Sequence, residues 1–436
     1  MPVALETIDY QYKDSFPNEV EKLVSSIYSD IEKKTYEDTV KLVGKSSDIK
    51  SLEKLFMSRL GLNVKFSPYL DIVAPAAIIP FFGDYFRNVN EPDGFVFGMN
   101  LKKAIAEFEN IHKERGKMLK AIHNRKGFVN TKLAKVGGYL SDVRHTLIID
   151  FFSLRSHRLT AGEVTAIILH ELGHAFNGLE DHNKLETTNR AILDVLNDIY
   201  DKKVEHVDYV FKNKATQKEF ENASMSDSKV QMDFCSEVAN EYLGVVNTQL
   251  MNGKYDETNF ENMADSFATR FGRGKDLITG LDKIHRATGQ VLPNNKGLYL
   301  AILTIEALLF AGCFLTVPVL GVVVFAIYMV EFFTAGSSTM TYDFPIERYN
   351  RVRNTLINGM KRLDLPKDVL KDLLEQYDVV SDLMEKGMAM KPSAEVLARL
   401  LRPSVRNQAY HIDLQQKIEN SLNNHLFVNT ARLRAI

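Results

Sequence analysis

The hydrophobic and polar positions along the chain predict a protein of the α+β class that is mostly helical. Apolar residues recur at helical spacing across residues 17–60 and 101–123, and much of the second half of the chain follows the same pattern. Residues 128–136 and 139–152 are instead rich in β-branched and aromatic side chains, which predicts a β-hairpin turning at the two glycines between them. We therefore expect a small β-sheet beside a larger set of helices.

A buried helix is predicted directly after this hairpin. Thr160-Ala161-Gly162-Glu163 matches a capping box, in which the Thr hydroxyl and the Glu carboxylate satisfy free amides at a helix start. The residues that follow form a broad apolar face, made of Val164, Ile167, Ile168, Leu169 and Leu172. The pattern indicates a helix whose side chains are fixed against the core.

The segment His170-Glu171-Leu172-Gly173-His174 lies within this helix and suggests a chemistry. On a helix, a spacing of four residues turns both imidazoles to one face, so that they can bind one Zn²⁺ ion. Glu171 lies beside the first imidazole and is a candidate general base. The alternative interpretation is a buried helix with two hydrogen-bonded core histidines.

A zinc site of this kind needs a third protein ligand, for which Glu261 is the strongest candidate. Asp265 follows it by four residues, so one helix face can present a ligand carboxylate and a second carboxylate that orients an imidazole. Thr258 and Glu261 also match a capping box, and Glu261 could serve only that purpose. Glu180 and His182 are rival ligands in the segment after the motif.

Residues 297–334 form a long apolar stretch that divides into two halves. The halves, Leu298 to Leu315 and Val317 to Phe333, are each interrupted by only two residues and are about long enough to cross a bilayer. Basic residues flank both ends, as they do at the cytoplasmic side of a membrane. We therefore expect a transmembrane helical hairpin. The alternative is a pair of core helices, because the carboxylate of Glu306 is costly in lipid.

Composition and charge limit the partners and the compartment. The chain of 436 residues has a net charge of −2 and no basic run with interleaved aromatics, so we expect no nucleic-acid partner. Cys235 and Cys313 lie far apart, which favours a reducing compartment over a disulfide framework. The first residues lack the features of a signal peptide. We expect a protein on the cytoplasmic side of a membrane, integral through residues 297–334 and not secreted.

Two separated elements carry a resemblance to a known family. The run from Leu159 to His174, together with Glu261-x-x-Ala264-Asp265, resembles the membrane-associated zinc endopeptidases that include the CAAX prenyl proteases and the bacterial heat-shock membrane protease. A third element, Ser338 to Arg348, is similar to that family's Ser-Thr-His-Pro-Pro…Glu-x-Arg segment, although Asp343 and Phe344 replace the expected histidine and first proline. The resemblance covers roughly residues 145–353.

The resemblance implies a zincin fold of the gluzincin type, with the active-site helix under a small β-sheet. It implies the same five site residues that the spacing indicates, namely the zinc ligands His170, His174 and Glu261, the general base Glu171, and Asp265 behind a ligand. An oxyanion donor besides zinc is also needed. Tyr342, Arg348 and His285 are candidates, among which the sequence does not choose.

The predicted regions follow from these patterns. They are a helical N-terminal region at 1–124, a zincin catalytic core at 125–290, the apolar hairpin at 297–334 and a helical C-terminal region at 335–436. We expect a zinc-dependent endopeptidase acting on a peptide or protein substrate at a lipid bilayer. One alternative is a peptidase whose hairpin is core, or a self-processing enzyme. Another is a zincin-fold protein that binds zinc without useful turnover and has a structural or membrane-inserting role.

Overall fold

The computed structural model describes residues 8–12, 14–67, 76–80, 127–200, 257–316, 318–334, 345–389, 393–407 and 425–436, with isolated positions at 217, 218, 220, 230, 234 and 410. The helices are α1 Phe16–Asp30, α2 Tyr36–Val43, α3 Ser47–Leu60, α4 Phe151–Ser156, α5 Ala161–Tyr200, α6 Glu257–Ala268, α7 Gly274–Ala287, α8 Lys296–Thr316, α9 Pro318–Thr334, α10 Pro345–Met360, α11 Lys367–Lys386, α12 Ser393–Leu401 and α13 His425–Ala435. The strands are β1 Asn63–Ser67, β2 Ala76–Pro80, β3 Gly127–Asn130, β4 Lys135–Gly138, β5 Arg144–Ile149, β6 Val291–Pro293 and β7 Gly387–Ala389. The α+β, mostly helical class is confirmed.

The main sheet has three strands in the order β1–β5–β2. The central strand β5 pairs parallel with β1, where Val64 lies opposite His145, and antiparallel with β2, where Ile78 lies opposite Leu147. Strand β2 also contacts α5. The sheet therefore lies against the helix that carries the two motif histidines.

The predicted β-hairpin across residues 128–152 is wrong in its turn and in its second strand. Strand β3 pairs with β4 through a turn at residues 131–134, and β5 belongs to the main sheet. The two glycines have other uses. A Cβ at Gly137 would lie 2.4 Å from the ring of Phe128, and Gly138 leaves the strand with a φ of 66° at the start of a short 3₁₀ turn. Local patterning does not reveal these requirements.

Helix α5 is buried along most of its described side chains. It begins with the predicted capping box: Glu163 N donates to Thr160 Oγ1 at 3.2 Å, and Thr160 N donates to a Glu163 carboxylate oxygen at 2.7 Å. From residue 162 to residue 180 the chain is buried, apart from His174 and Gly178, which are partly exposed. Helices α1, α6 and α7 pack against it. The metal motif thus lies inside the protein, on a helix with a defined start.

Helices α5 and α6 lie close together at Gly173. A Cβ at this position would lie 2.8 Å from Cβ of Phe267 and 2.9 Å from Cα of Ala264, which is closer than carbon atoms pack. Glycine is therefore required at this point of the motif. The contact fixes the separation of the two helices that carry the motif histidines and Glu261.

A single hydrophobic cluster runs through most of the described fold. It takes side chains from α1 to α3, from the sheet, from α5 to α7 and from α10, α11 and α13, and it extends in sequence from Ile8 to Ala435. The predicted regions 1–124, 125–290 and 335–436 all contribute to it. The metal motif therefore rests on contacts from both ends of the chain.

Helices α8 and α9 correct the membrane prediction. Among the described residues, none of the helices is long and apolar enough to cross a membrane. The expected transmembrane hairpin at 297–334, and with it the integral position on the cytoplasmic side of a membrane, is therefore wrong. Helix α9 has 17 residues, fewer than the span of about 20 that a bilayer core needs. Helix α8 has Thr304 and Glu306 at its middle.

The alternative of two core helices does not describe this pair either. Helices α8 and α9 contact each other, with the Phe310 ring 6.3 Å from Phe325 and 5.7 Å from Tyr328 between centroids. Many of their other apolar side chains are exposed, including Leu308 at 67% and Val319 at 77%. Near the end of α9, Phe332 packs against a small cluster formed by Ala398 and Val405.

Candidate metal centre

His170, His174 and Glu261 come together between α5 and α6. The Nε2 atoms of the two histidines are 3.2 Å apart. Glu261 places Oε2 3.4 Å from His170 Nε2 and Oε1 3.3 Å from His174 Nε2. The three ligand atoms lie within 4.8 Å of one another, and within the described part of the chain this is the group of side chains that could hold a metal ion.

The chemistry of these side chains fits a metal ion. Two imidazole nitrogens and one carboxylate form a donor set that Zn²⁺ accepts. His170 and Glu261 are buried, at 7% and 8% exposure. Glu261 Oε2 accepts no hydrogen bond, although Arg348 Nη2 lies 3.3 Å from it. A buried carboxylate oxygen that accepts no well-formed hydrogen bond is destabilising, and a cation between the three side chains would relieve that cost.

Asp265 lies behind His170, one helical turn after Glu261 on α6. Its Oδ1 is 2.9 Å from His170 Nδ1. A carboxylate at this nitrogen fixes the orientation of the ring and leaves the other nitrogen free for a metal. Asp265 is 1% exposed, so its position is set by packing as well as by charge.

Arg348 of α10 pairs with Asp265 through two hydrogen bonds. Its Nε donates to Asp265 Oδ2 at 3.0 Å and its Nη2 donates to Oδ1 at 2.6 Å. Burial lowers the pKa of Arg348, but the nearby carboxylates of Asp265, Glu261 and Glu171 outweigh it and raise the pKa overall. Arg348 therefore stays charged, and Glu171 lies within electrostatic reach of it.

The charges of the group favour ionised carboxylates. Burial alone would raise the pKa of Glu261, yet His170, His174 and Arg348 hold it well below its usual range. Burial would also raise the pKa of Asp265, but Arg348 and His170 lower it. Burial would lower the pKa of His170, but Asp265 and Glu261 raise it to about 10, so a metal ion at Nε2 would displace a proton.

Glu180, one of the rival ligands, is not part of this group, and the side chain of His182 lies outside the described ones. Helix α5 continues without a break to Tyr200, so Glu180 lies about 9 Å and His182 about 12 Å further along the axis than His174, at 1.5 Å per residue. A ligand at either position would need the helix to end soon after the motif. The capping alternative for Glu261 is also not what is found, because its carboxylate faces the imidazoles of α5.

The structure does not select an oxyanion donor. Tyr342, like Asp343 and Phe344, lies outside the described residues. His285 contacts Tyr349 instead of the three ligands, with 3.2 Å between Nδ1 and the hydroxyl oxygen. Burial and the charge of Arg348 lower the pKa of His285 to about 4. The donor therefore stays a prediction.

Sequence reasoning missed two contributions to this centre. The pairing of Arg348 with Asp265 joins residues 83 positions apart, and the sequence contains no local signal for it. The packing role of Gly173 does have a signal, because a glycine inside a buried helix usually marks a close approach.

Comparisons with known proteins add nothing to this geometry. No family model, curated protein or solved structure matches the chain. The resemblance to the membrane-associated zinc endopeptidases therefore stays a prediction.

Proposed function

We propose that the protein is a zinc-dependent endopeptidase with a zincin-like arrangement, in which His170, His174 and Glu261 hold the metal. The observation that supports this most is the meeting of two imidazole nitrogens and one carboxylate within 4.8 Å. The side chain of His174 is 21% exposed, so the group can be reached from outside the core. A Zn²⁺ ion at these ligands would supply Lewis acidity toward a carbonyl oxygen and a water molecule.

Glu171 is the proposed general base. It follows His170 directly on α5 and is 8% exposed, in a site where few waters can screen its charge. Its carboxylate accepts the proton of the water that attacks the peptide carbonyl, and then passes that proton to the departing amine. Asp265 holds the ring of His170 during both transfers.

Strand β2 supports a peptide as the substrate. It forms one edge of the sheet in the described residues, pairs antiparallel with β5 and contacts α5. An open strand edge presents backbone amides and carbonyls that an extended peptide can pair with. A chain bound there would run beside the helix that carries Glu171.

The substitution Glu171→Gln tests this function. It leaves both imidazoles and Glu261 in place, so zinc should remain at one ion per chain. Casein hydrolysis should fall by about 10²- to 10⁴-fold, because the proton acceptor is lost. Metal analysis and the release of labelled casein fragments measure the two effects.

The matched control is Glu375→Gln, which changes an exposed glutamate paired with Lys275. It should hydrolyse casein like the wild type. Equal hydrolysis by the Glu171→Gln variant would refute the proposal. Wild-type protein that binds zinc but cleaves no substrate would favour the alternative of a zinc-binding protein without turnover.

A further inference from the structure

We propose that Arg348 is a positioning residue of the metal centre, which holds Asp265 against His170 and thereby lets α10 complete a site built on α5 and α6. This inference rests on the proposed metal centre and deepens it. In this role Arg348 acts through Asp265 and is not an oxyanion donor.

The first support is the geometry of the guanidinium. Arg348 meets Asp265 through two nitrogens and two oxygens, at 3.0 Å and 2.6 Å. Such a fork fixes the plane of a carboxylate as well as its distance. Both nitrogens that form the fork are therefore engaged with protein.

The second support is the atom that the two contacts share. Asp265 Oδ1 accepts a hydrogen bond from Arg348 Nη2, and the same oxygen lies 2.9 Å from His170 Nδ1. The position of the guanidinium therefore sets the direction from which the carboxylate meets the imidazole. Through that carboxylate it sets which way Nε2 of His170 faces, and Nε2 is the proposed ligand atom.

The third support is the balance of charge. Glu261 and Asp265 are both buried on one face of α6, and Arg348, itself 6% exposed, lies within 4 Å of both. Two buried carboxylates repel each other, and a nearby cation offsets this repulsion. With Glu171 included, three carboxylates and one guanidinium leave a formal charge of −2 once a metal ion has replaced the proton of His170 and both imidazoles are neutral. That charge matches one divalent cation.

The experiment compares Arg348→Gln, Arg348→Lys and Asp265→Asn by metal binding, which needs no substrate. Zinc affinity is measured in competition with a chromophoric chelator, and the visible absorption of the Co²⁺-loaded full chain reports the ligand geometry. Arg348→Gln should weaken zinc binding by about 10- to 100-fold and alter the Co²⁺ spectrum. The zinc affinity of Arg348→Lys should lie between those of Arg348→Gln and the wild type, because one ammonium keeps the charge but cannot form the fork.

The control is Arg270→Gln. Arg270 donates to the backbone oxygen of Ile8 and lies over the ring of Tyr10, so it links elements without contacting the metal group. It should leave the Co²⁺ spectrum unchanged even if it lowers the melting temperature. The double variant of Arg348→Gln with Asp265→Asn should bind zinc more tightly than the product of the two single-variant fold losses in affinity predicts. The reason is that Arg348 acts through Asp265.

Two outcomes would overturn the proposal. One is Arg348→Gln protein with the zinc affinity and the Co²⁺ spectrum of the wild type. If Arg348→Gln does not fold, Arg348→Lys decides, and wild-type affinity and spectrum in that variant would overturn the proposal as well. A wild type that binds zinc without hydrolysing peptides would defeat the proposed enzyme function alone, because these measurements do not use activity.

Discussion

The candidate metal centre and the α8–α9 pair distribute polarity in opposite ways. Around His170, the charged side chains of Glu261, Asp265 and Arg348 are buried and lie beside groups of opposite charge or proton donors. In α8 and α9, apolar side chains are exposed, with Leu309 at 65% and Leu315 at 84%. The difference shows that burial follows from the partners a segment meets, and not from the hydropathy of the segment itself.

We expect the largest effect of a single substitution at the candidate metal centre. Glu261→Ala should lower zinc affinity by more than about 100-fold, beyond the effect typical of residues behind a ligand, because a carboxylate ligand is lost. Glu180→Ala should leave the affinity nearly unchanged, since Glu180 lies about 9 Å further along the axis of α5 than His174. Metal titration of the two variants measures the difference. Zinc loss in Glu180→Ala with retention in Glu261→Ala would reverse the assignment.

A second prediction compares two leucines, one from each region. Leu169 of α5 is 0% exposed, and Leu169→Ala should destabilise the fold by about 2–5 kcal/mol through lost contacts and a cavity. Leu309 of α8 is 65% exposed, and Leu309→Ala should change stability by less than about 0.5 kcal/mol. Urea unfolding gives both values. A large loss in Leu309→Ala would mean that α8 is covered in solution.

A third, smaller effect separates two glycines. Gly173→Ala should cost about 1–3 kcal/mol, because the new methyl group must push α5 and α6 apart. Gly312 of α8 has no atom within 4 Å of an added Cβ, so Gly312→Ala should stabilise its helix by about 0.5–1 kcal/mol. Opposite shifts in melting temperature are the expected result. Equal shifts would show that the two helices are packed alike.

The parts of the site that the sequence predicts are those with local spacing. The motif histidines lie one turn apart on a helix whose capping box is visible at Thr160, and Glu261 and Asp265 share a second helix face in the same way. These relations depend only on helical geometry, which is independent of the rest of the fold. They needed no information from distant segments.

The parts that escaped prediction depend on contacts between distant segments. Strand β5 pairs with β1, whose residues lie about 80 positions earlier, so its neighbours could not be inferred from local alternation. The same holds for Arg348 and Asp265. The α8–α9 pair differs for another reason, because hydropathy and approximate length predict a membrane span, whereas α9 has only 17 residues.

The place of Arg348 in the chain also imposes an order on biosynthesis. His170, His174, Glu261 and Asp265 are all translated before it, and the guanidinium follows Asp265 by 83 residues. A nascent chain that has folded α5 onto α6 but has not yet released α10 holds both acidic side chains of α6 without their counter-charge. The complete centre therefore cannot form on the ribosome until α10 has emerged. A chain that contains it has been synthesised at least to the end of α10.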